Sequence, residues 1–147
     1  MTRLVVVSNR VSIPEEGKPQ AGGLAVAITG ALSEHGGLWF GWDGRVKQVP
    51  SNRPNVVTRD NIDYATLSLS KQDYDNYYLG FANEVLWPVF HFNLGAMDFQ
   101  LDHVKAYSRV NARFAEALVT LVQGDELIWV HDYHLLPLGK ELRERGI

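Results

Sequence analysis

The chain contains no cysteine. A protein without cysteine has no disulfide framework, no cysteine-ligated zinc site and no thiol nucleophile. The absence fits a reducing compartment, and we expect a cytoplasmic protein. The glycine motifs of many nucleotide-binding proteins are missing as well, because the sequence contains neither G-x-G-x-x-G nor a P-loop.

Long apolar runs are also missing. Only four strongly apolar residues, Leu4–Val7, follow the N-terminal Met1-Thr2-Arg3, which is too few for a signal peptide. No stretch approaches the roughly 18 apolar residues of a membrane span, so we expect no membrane partner. The 14 Lys and Arg are outnumbered by 17 Asp and Glu, for a net charge of −3. Such a chain has no general basic field for nucleic acid, so any anion must be bound locally.

The residues that are present have the composition of one globular domain. The chain has 147 residues, 46% of them hydrophobic, which is enough for a single domain with a substantial core. Apolar runs without alternation are typical of strands covered on both faces, and they occur at Leu4–Val7, Leu38–Trp42 and Leu127–Val130. Alternation over Ile62–Leu69 predicts a half-exposed strand, and Asn55–Arg59 is predicted as a short strand.

Helical patterns separate these strands. The predicted helices are Leu24–His35, a helix that begins at the N-cap Ser70 and is stopped or kinked by Pro88 near Trp87, Leu101–Gln123, and Leu135–Arg145. The segment Val11–Gln20 is predicted as a loop. Strands that alternate with helices predict an α/β fold with a Rossmann-like, mainly parallel sheet flanked by helices.

Polar clusters follow the first and last apolar strands. Ser8-Asn9-Arg10 comes directly after the first strand, and His131-Asp132-Tyr133-His134 after the last. Ligands of open α/β sheets bind beyond the carboxyl ends of the strands, so this is the predicted binding edge. Arg10 suits a phosphate or carboxylate, or pairs with a nearby acid on the surface. Asp132 suits the hydroxyl groups of a sugar, or caps the following helix.

Gly22 and Gly23 lie where a loop meets a helix N-terminus. Free backbone N–H groups and the helix dipole favour an anion there, and the missing side chains allow a diphosphate to approach closely. The alternative is a plain helix start.

Amphipathic aromatic residues and two histidines complete the candidate site. Trp42, Tyr78 and Trp87 could stack on a sugar ring, although core packing also explains such residues. His131 and His134, together with Asp132, could instead bind a metal ion, although their spacing is not that of a known zinc motif. The polar helix face with Arg109, Arg113 and Glu116 is expected to be a solvated surface with local ion pairs.

Several segments together resemble the trehalose-6-phosphate synthase family. They are LVVVSNRV at 4–11, AGGLAVAITGAL at 21–32, GGLWFGWDG at 36–44, YYLGFANEVLWPVFH at 77–91 and IWVHDYHLLPLGKELR at 128–143. They occur in the order and approximate spacing of that family. The resemblance implies a retaining glycosyltransferase with two facing Rossmann-like domains, the GT-B architecture. It also implies transfer of glucose from UDP-glucose to glucose 6-phosphate, which gives trehalose 6-phosphate and UDP.

The resemblance assigns roles to individual residues. Arg10 would contact the acceptor phosphate, and Tyr78 and Asp132 would line the acceptor site. Trp42 and Trp87 match aromatic positions beside the acceptor, and the glycine pair 22–23 would contact the donor. No residue is assigned as a general acid or base, and no metal or other cofactor is expected.

The family is considerably longer than this chain. We therefore expect residues 1–147 to be an incomplete N-terminal, acceptor-side domain, with the nucleotide-binding C-terminal domain absent and no appreciable transfer by the chain alone. The alternatives are a non-catalytic sugar-phosphate-binding homologue, a related GT-B transferase such as one like glycogen synthase, and a metal hydrolase using the histidines. Oligomeric state is left open, with a homo-oligomer among the alternatives.

Overall fold

A computed structural model describes residues 2–15, 17–18 and 22–147. Part of the predicted loop Val11–Gln20 therefore lies outside the described residues, namely Glu16, Pro19 and Gln20. Ala21, which precedes the glycine pair, lies outside them as well.

The core of the fold is a five-stranded sheet with the order β3-β4-β2-β1-β5. Its strands are β1 (Leu4–Arg10), β2 (Gly37–Lys47), β3 (Asn55–Arg59), β4 (Ile62–Ser70) and β5 (Leu127–Val130). β1 pairs in parallel with β2 and with β5, and β2 pairs in parallel with β4. The predicted parallel α/β sheet is therefore confirmed, and β3 is its antiparallel exception.

Helices cover both faces of the sheet. They are α1 (Gly23–Ser33), α2 (Lys71–Asp73), a π-helix (Tyr74–Leu86), α3 (Trp87–Phe90), α4 (Leu101–Val119) and α5 (Leu138–Glu144), with short 3-10 turns at Leu94–Ala96 and Tyr133–Leu135. α1 packs on one face with a core that includes Val6, Ile28 and Trp39. α4 and α5 pack on the other face, where Phe40 and Phe114 are fully buried. Two covered faces explain why β1 is apolar without alternation.

Two predictions about strand exposure are wrong. β4 is buried rather than half-exposed, because the small polar side chains of Thr66 and Ser68 are buried with its apolar ones. β5 was predicted as a buried strand, but it lies at the edge of the sheet, and Leu127 and Trp129 are exposed.

Helix boundaries differ from the prediction at several points. The helix that follows Ser70 is wound mostly as a π-helix, and the chain stays helical through Pro88 as far as Phe90. α4 ends at Val119 rather than Gln123. The last helix begins at Leu138 rather than Leu135, because a 3-10 turn precedes it.

The polar face of α4 is not a simple solvated surface. Arg109 Nη2 lies 2.6 Å from Asp73 Oδ1, an ion pair that connects α4 to α2. Arg113 donates to the carbonyl oxygens of Ser68 at 2.9 Å and Ser51 at 2.7 Å. Burial lowers the pKa of Arg113, and the nearby Asp73 carboxylate opposes that shift. These arginines join α4 to the sheet and to the segment before β3.

No helix in the part of the chain that the structure describes is long and apolar enough to cross a membrane.

Candidate functional site

Arg10 is the last residue of β1, at the carboxyl end of the sheet. The pairing of β1 with β2 shifts register between Ser8 and Arg10. Ser8 Oγ donates to the Arg10 carbonyl oxygen at 2.7 Å and accepts from Trp39 Nε1 at 2.8 Å. Asn9 Oδ1 accepts from the buried hydroxyl of Tyr77 at 2.7 Å. The buried side chains of Ser8 and Asn9 thus hold the strand end, while Arg10 is exposed.

The guanidinium of Arg10 keeps its charge available. Its Cζ lies 5.4 Å from the centroid of the Trp42 ring, within the range of a cation–π interaction. Among the described residues Arg10 forms no ion pair with a carboxylate. The alternative of a surface arginine paired with a nearby acid is therefore not what the structure describes.

Asp132 follows β5 in an unusual backbone conformation. Its φ is 76° and its ψ is 166°, a region occupied almost only by glycine. Asp132 Oδ1 accepts from the backbone N–H of Tyr133 at 2.8 Å, so Asp132 caps the 3-10 turn Tyr133–Leu135. The predicted cap of the last helix is not observed, because α5 begins after Pro137. One carboxylate oxygen makes that bond, and the exposed carboxylate retains acceptor capacity for a ligand.

Side chains of α4 hold the turn that carries Asp132. The Tyr107 hydroxyl donates to the carbonyl oxygen of Tyr133 at 2.6 Å and accepts from the N–H of Leu136 at 3.3 Å. The fully buried Asn111 donates to the carbonyl oxygens of His134 at 3.1 Å and Tyr107 at 3.0 Å. Burial raises the pKa of Tyr107 to about 12, so its hydroxyl stays protonated and remains a donor.

Arg10, Tyr78 and Asp132 line one cavity of about 200 Å³. The cavity is completed by Ser8, Asn9, Leu24, Asn83, His131, Tyr133 and His134. The structure therefore brings together the cation at the end of β1, the carboxylate after β5 and one wall from the π-helix. Arg10 also lines a second cavity of about 450 Å³, together with Arg45, Asn55 and Thr66.

His131 and His134 both line the cavity. No group of three or more His, Cys, Asp or Glu that could hold a metal ion exists among the residues the structure describes. The His134 ring is buried and stacks on Tyr133, with centroids 4.2 Å apart, and on Tyr78 at 5.9 Å. Burial lowers the pKa of His134, with Asp132 acting in the opposite direction, so the ring is neutral at pH 7.

The predicted tryptophans lie outside the cavity lining. Trp42 is buried, and its ring contacts Tyr78 at a centroid distance of 5.5 Å. It therefore supports two cavity residues from behind, Arg10 and Tyr78. Trp87 is half-exposed, and its ring centroid lies 3.7 Å from that of His91, with the planes tilted by 33°, and 6.0 Å from that of Tyr133.

The glycine pair begins α1 close to the same cavity. Gly22 is the N-cap, with φ 99°, and no side chain of the described residues caps the helix. Among the residues that the structure describes, a Cβ on Gly22 or Gly23 would meet no atom within 4 Å. Leu24, in the first turn of α1, lines the cavity. The uncapped N–H groups of an 11-residue helix therefore lie beside the site.

Asn83 is a cavity residue that sequence reasoning missed. It lies five residues after Tyr78, a spacing that separates side chains on an α-helix. In a π-helix the hydrogen bonds join residues i and i+5, so Tyr78 and Asn83 share a face. The periodic aromatic pattern predicted a helix and contained no signal for this winding.

Comparison with known protein families finds a match along almost the whole chain. A sequence model of glycosyltransferase family 20 matches residues 2–147. The chain belongs to this family. The resemblance stated from the motifs is thereby confirmed.

Family 20 relatives match the chain along its whole length. A trehalose-6-phosphate synthase of Enterobacter sp. (strain 638) is 52% identical over 148 residues, which are 100% of this chain and 31% of the relative. The crystal structure of an α,α-trehalose-phosphate synthase (UDP-forming) from Burkholderia vietnamiensis superposes with a TM-score of 0.94 at 50% identity. It is matched over 100% of this chain and 32% of its own.

Two further family 20 structures contain ligands. One is the UDP-forming synthase of Burkholderia xenovorans in complex with glucose-6-phosphate, with a TM-score of 0.88, 46% identity, and coverage of 99% of this chain and 32% of that one. The other is the Escherichia coli protein bound with UDP-2-fluoro glucose, with a TM-score of 0.86, 49% identity, and coverage of 99% and 31%. The chain thus spans about a third of the length of the relatives it matches.

Proposed function

We propose that this chain forms the N-terminal, acceptor-side part of a UDP-forming α,α-trehalose-phosphate synthase. Such an enzyme transfers glucose from UDP-glucose to glucose 6-phosphate. The observation that carries the proposal is that Arg10 and Asp132, from two different strand ends, line one cavity. Membership of family 20 and the ligand-bound relatives support the same reaction.

Arg10 binds the phosphate of the acceptor in this proposal. Its guanidinium is exposed, has no carboxylate partner among the described residues, and presents a planar set of donors that matches phosphate oxygens. A hydrogen bond between two charged groups is shorter and stronger than one between neutral groups. A net-acidic chain thus binds an anion through one local cation.

Asp132 and Tyr78 bind the hexose of the acceptor. A carboxylate accepts hydrogen bonds from sugar hydroxyls, and the Asp132 carboxylate is exposed to the cavity. The ring of Tyr78 is held by Trp42 on one side and His134 on another, so it forms a firm wall. Trp42 acts through these residues, and Trp87 acts through Tyr133 at the margin of the site.

The donor approaches the N-terminus of α1 at Gly22 and Gly23. The uncapped N–H groups and the helix dipole attract the diphosphate of UDP-glucose. The acceptor hydroxyl then attacks on the face from which UDP leaves, and the leaving phosphate takes the proton. This chain contributes alignment of the acceptor, and aligned reactants can gain up to roughly 7–11 kcal/mol. The fixed cations that neutralise the leaving diphosphate would belong to the nucleotide-binding domain.

The finer features of the enzyme are part of the same proposal. The substrates are phosphorylated and nucleotide-linked sugars, which are metabolites of the cytoplasm, and we place the enzyme there. Transfer needs no metal ion, because fixed cations serve the leaving group. The proposal allows a homo-oligomer.

Binding of glucose 6-phosphate to the 147-residue chain tests the proposal. Isothermal titration calorimetry should detect binding of glucose 6-phosphate to the chain, and the affinity for glucose should be weaker. Arg10→Ala should reduce the affinity for glucose 6-phosphate roughly 10- to 100-fold, because a hydrogen bond between charged groups is lost. Arg143→Ala removes an exposed arginine from α5 and should leave the affinity unchanged. Equal effects of the two variants would contradict the phosphate role of Arg10.

A further inference from the structure

Gly44 lies against the guanidinium of Arg10. A Cβ placed on Gly44 would overlap Arg10 Cζ, Nη2 and Nε, well inside van der Waals contact. The guanidinium thus occupies the space that any side chain at position 44 would need. Gly44 also has a φ of 79°, a conformation in which a residue with a Cβ is strained.

The backbone that carries Gly44 is held on both sides. Trp42 Nε1 donates to the Arg45 carbonyl oxygen at 2.8 Å, and the Arg45 N–H donates to Asp43 Oδ1 at 2.8 Å. Asp43 Oδ2 in turn accepts from Ser68 Oγ on β4 at 2.7 Å. Because the segment is fixed at these points, a side chain added at Gly44 would displace the flexible end of Arg10 before it displaced the backbone.

The guanidinium of Arg10 is held by packing against neutral groups and not by an ion pair among the described residues. Its guanidinium contacts the ring of Trp42, at 5.4 Å from Cζ to the centroid, and the backbone of Gly44. No carboxylate in the described part of the chain pairs with it. Two neutral surfaces therefore hold the cation, and its charge stays free for a ligand.

We infer that Gly44 is a positioning residue for the acceptor phosphate, acting through Arg10. Its missing side chain leaves room for the guanidinium beside β2, and Arg10 is one of the residues that line the cavity. The phosphate role of Arg10 on which this inference rests is the proposed function. The placement of the guanidinium by Gly44 is a separate claim that can be measured without any ligand.

The first test observes Arg10 in the ligand-free chain. The NMR signal of the Arg10 Nε–Hε group should shift in Gly44→Ala, because the guanidinium leaves the ring of Trp42. Gly124→Ala is the matched control, since Gly124 has a φ of 96° and only Ile147 Cδ1, at 3.8 Å, near its added Cβ. An Arg10 signal that stays unmoved in Gly44→Ala overturns the inference, whether or not the chain binds glucose 6-phosphate.

The second test is a double-mutant cycle for binding. Gly44→Ala should weaken glucose 6-phosphate binding about 10- to 100-fold, as Arg10→Ala does, and should leave the affinity for glucose unchanged. In the Arg10→Ala background, Gly44→Ala should cause no further loss, because the group through which it acts is gone. Additive losses overturn the inference. If the wild-type chain binds no glucose 6-phosphate, the proposed function fails. The Arg10 Nε–Hε signal in Gly44→Ala then decides by itself whether Gly44 positions Arg10.

The same variants also show whether Gly44→Ala still folds. Gly44→Ala and Gly124→Ala should lower the melting temperature by similar amounts, because both place a Cβ at positive φ. If Gly44→Ala does not fold, restoration of folding by Arg10→Ala supports the inference, since the overlap is then the cause. Failure of Arg10→Ala to restore folding overturns it.

Discussion

Asp132 shows how much backbone strain this site tolerates. At φ 76° and ψ 166° it occupies a region in which residues other than glycine cost about 1–3 kcal/mol. The turn is nonetheless over-determined, since Tyr107 and Asn111 bind the backbone of the following residues. Strain that is maintained by surrounding contacts is typical of functional positions, and here it presents a carboxylate to the cavity.

Replacement of Asp132 by glycine should separate stability from binding. Asp132→Gly relieves the strain but loses the bond to the N–H of Tyr133 and adds chain entropy, which together cost roughly 1–3 kcal/mol. We expect the free energy of unfolding in urea to stay within about 1 kcal/mol of wild type, while glucose 6-phosphate binding is lost. Asp60→Gly, at φ 48° in the turn between β3 and β4, should leave binding intact. A loss of stability well above 1 kcal/mol would refute the strain argument.

The cavity residues at the strand ends could be predicted from the sequence. The residues that hold those cavity residues in position could not. Arg10 and Asp132 each follow a short apolar run, and parallel strands end at the same edge of a sheet, so their proximity was predictable. Gly44 lies after Trp42 in a segment with no periodic signal. Its contact with Arg10 depends on a register shift in β2 that no local pattern indicates.

At the scale of elements, α4 fixes the turn that follows β5. The Tyr107 hydroxyl bonds to both sides of that turn, the carbonyl oxygen of Tyr133 and the N–H of Leu136. The ring of Tyr107 packs in the core, and no sequence pattern indicates the bonds of its hydroxyl. The polar tip of a core residue on one element thus shapes the site on another.

Removal of that hydroxyl should loosen the turn. Tyr107→Phe leaves a carbonyl oxygen and an N–H without their partner, and we expect the free energy of unfolding to fall by about 1–3 kcal/mol. Affinity for glucose 6-phosphate should fall several-fold, because Asp132 is held less precisely. Tyr74→Phe is the control, because it keeps the ring beside Trp42 and removes a hydroxyl to which the structure assigns no hydrogen bond among the described residues. Unchanged affinity in Tyr107→Phe would show that α4 does not position the acceptor site.

Local periodicity left two features of the elements unpredicted, the burial of β4 and the winding of the π-helix. Thr66 and Ser68 read as solvent-facing positions of β4, but the Ser68 hydroxyl is satisfied by Asp43 and both residues are buried. The periodic spacing of aromatic residues predicted a helix in this segment but not its π-helical winding. It therefore did not predict that Asn83 lines the cavity. The burial of Ser68 depends on Asp43, a partner distant in sequence, which local periodicity does not contain.

At the scale of the whole molecule, the proposed function assigns the described cavity to the acceptor side of the reaction. The cavity is lined by a cation, Arg10, and a carboxylate, Asp132, and the N-terminus of α1 lies beside it. Relatives of family 20 are about three times as long as the matched region, which is 31% of the Enterobacter protein. β5, with Leu127 and Trp129 exposed, lies at the edge of the sheet.

The division of roles predicts binding without transfer by the 147-residue chain. With UDP-glucose and glucose 6-phosphate present, release of UDP should stay at background, because the leaving diphosphate lacks the fixed cations that usually provide the largest share of catalysis. One polypeptide that joins this chain to the C-terminal remainder of the Enterobacter relative should release UDP and form trehalose 6-phosphate. In that chimera, Arg10→Ala should raise the KM for glucose 6-phosphate far more than that for UDP-glucose. A chimera that binds both sugars but transfers nothing would instead favour a non-catalytic sugar-phosphate-binding homologue. Turnover by the 147-residue chain alone would refute the assignment of the leaving-group chemistry to residues outside this chain.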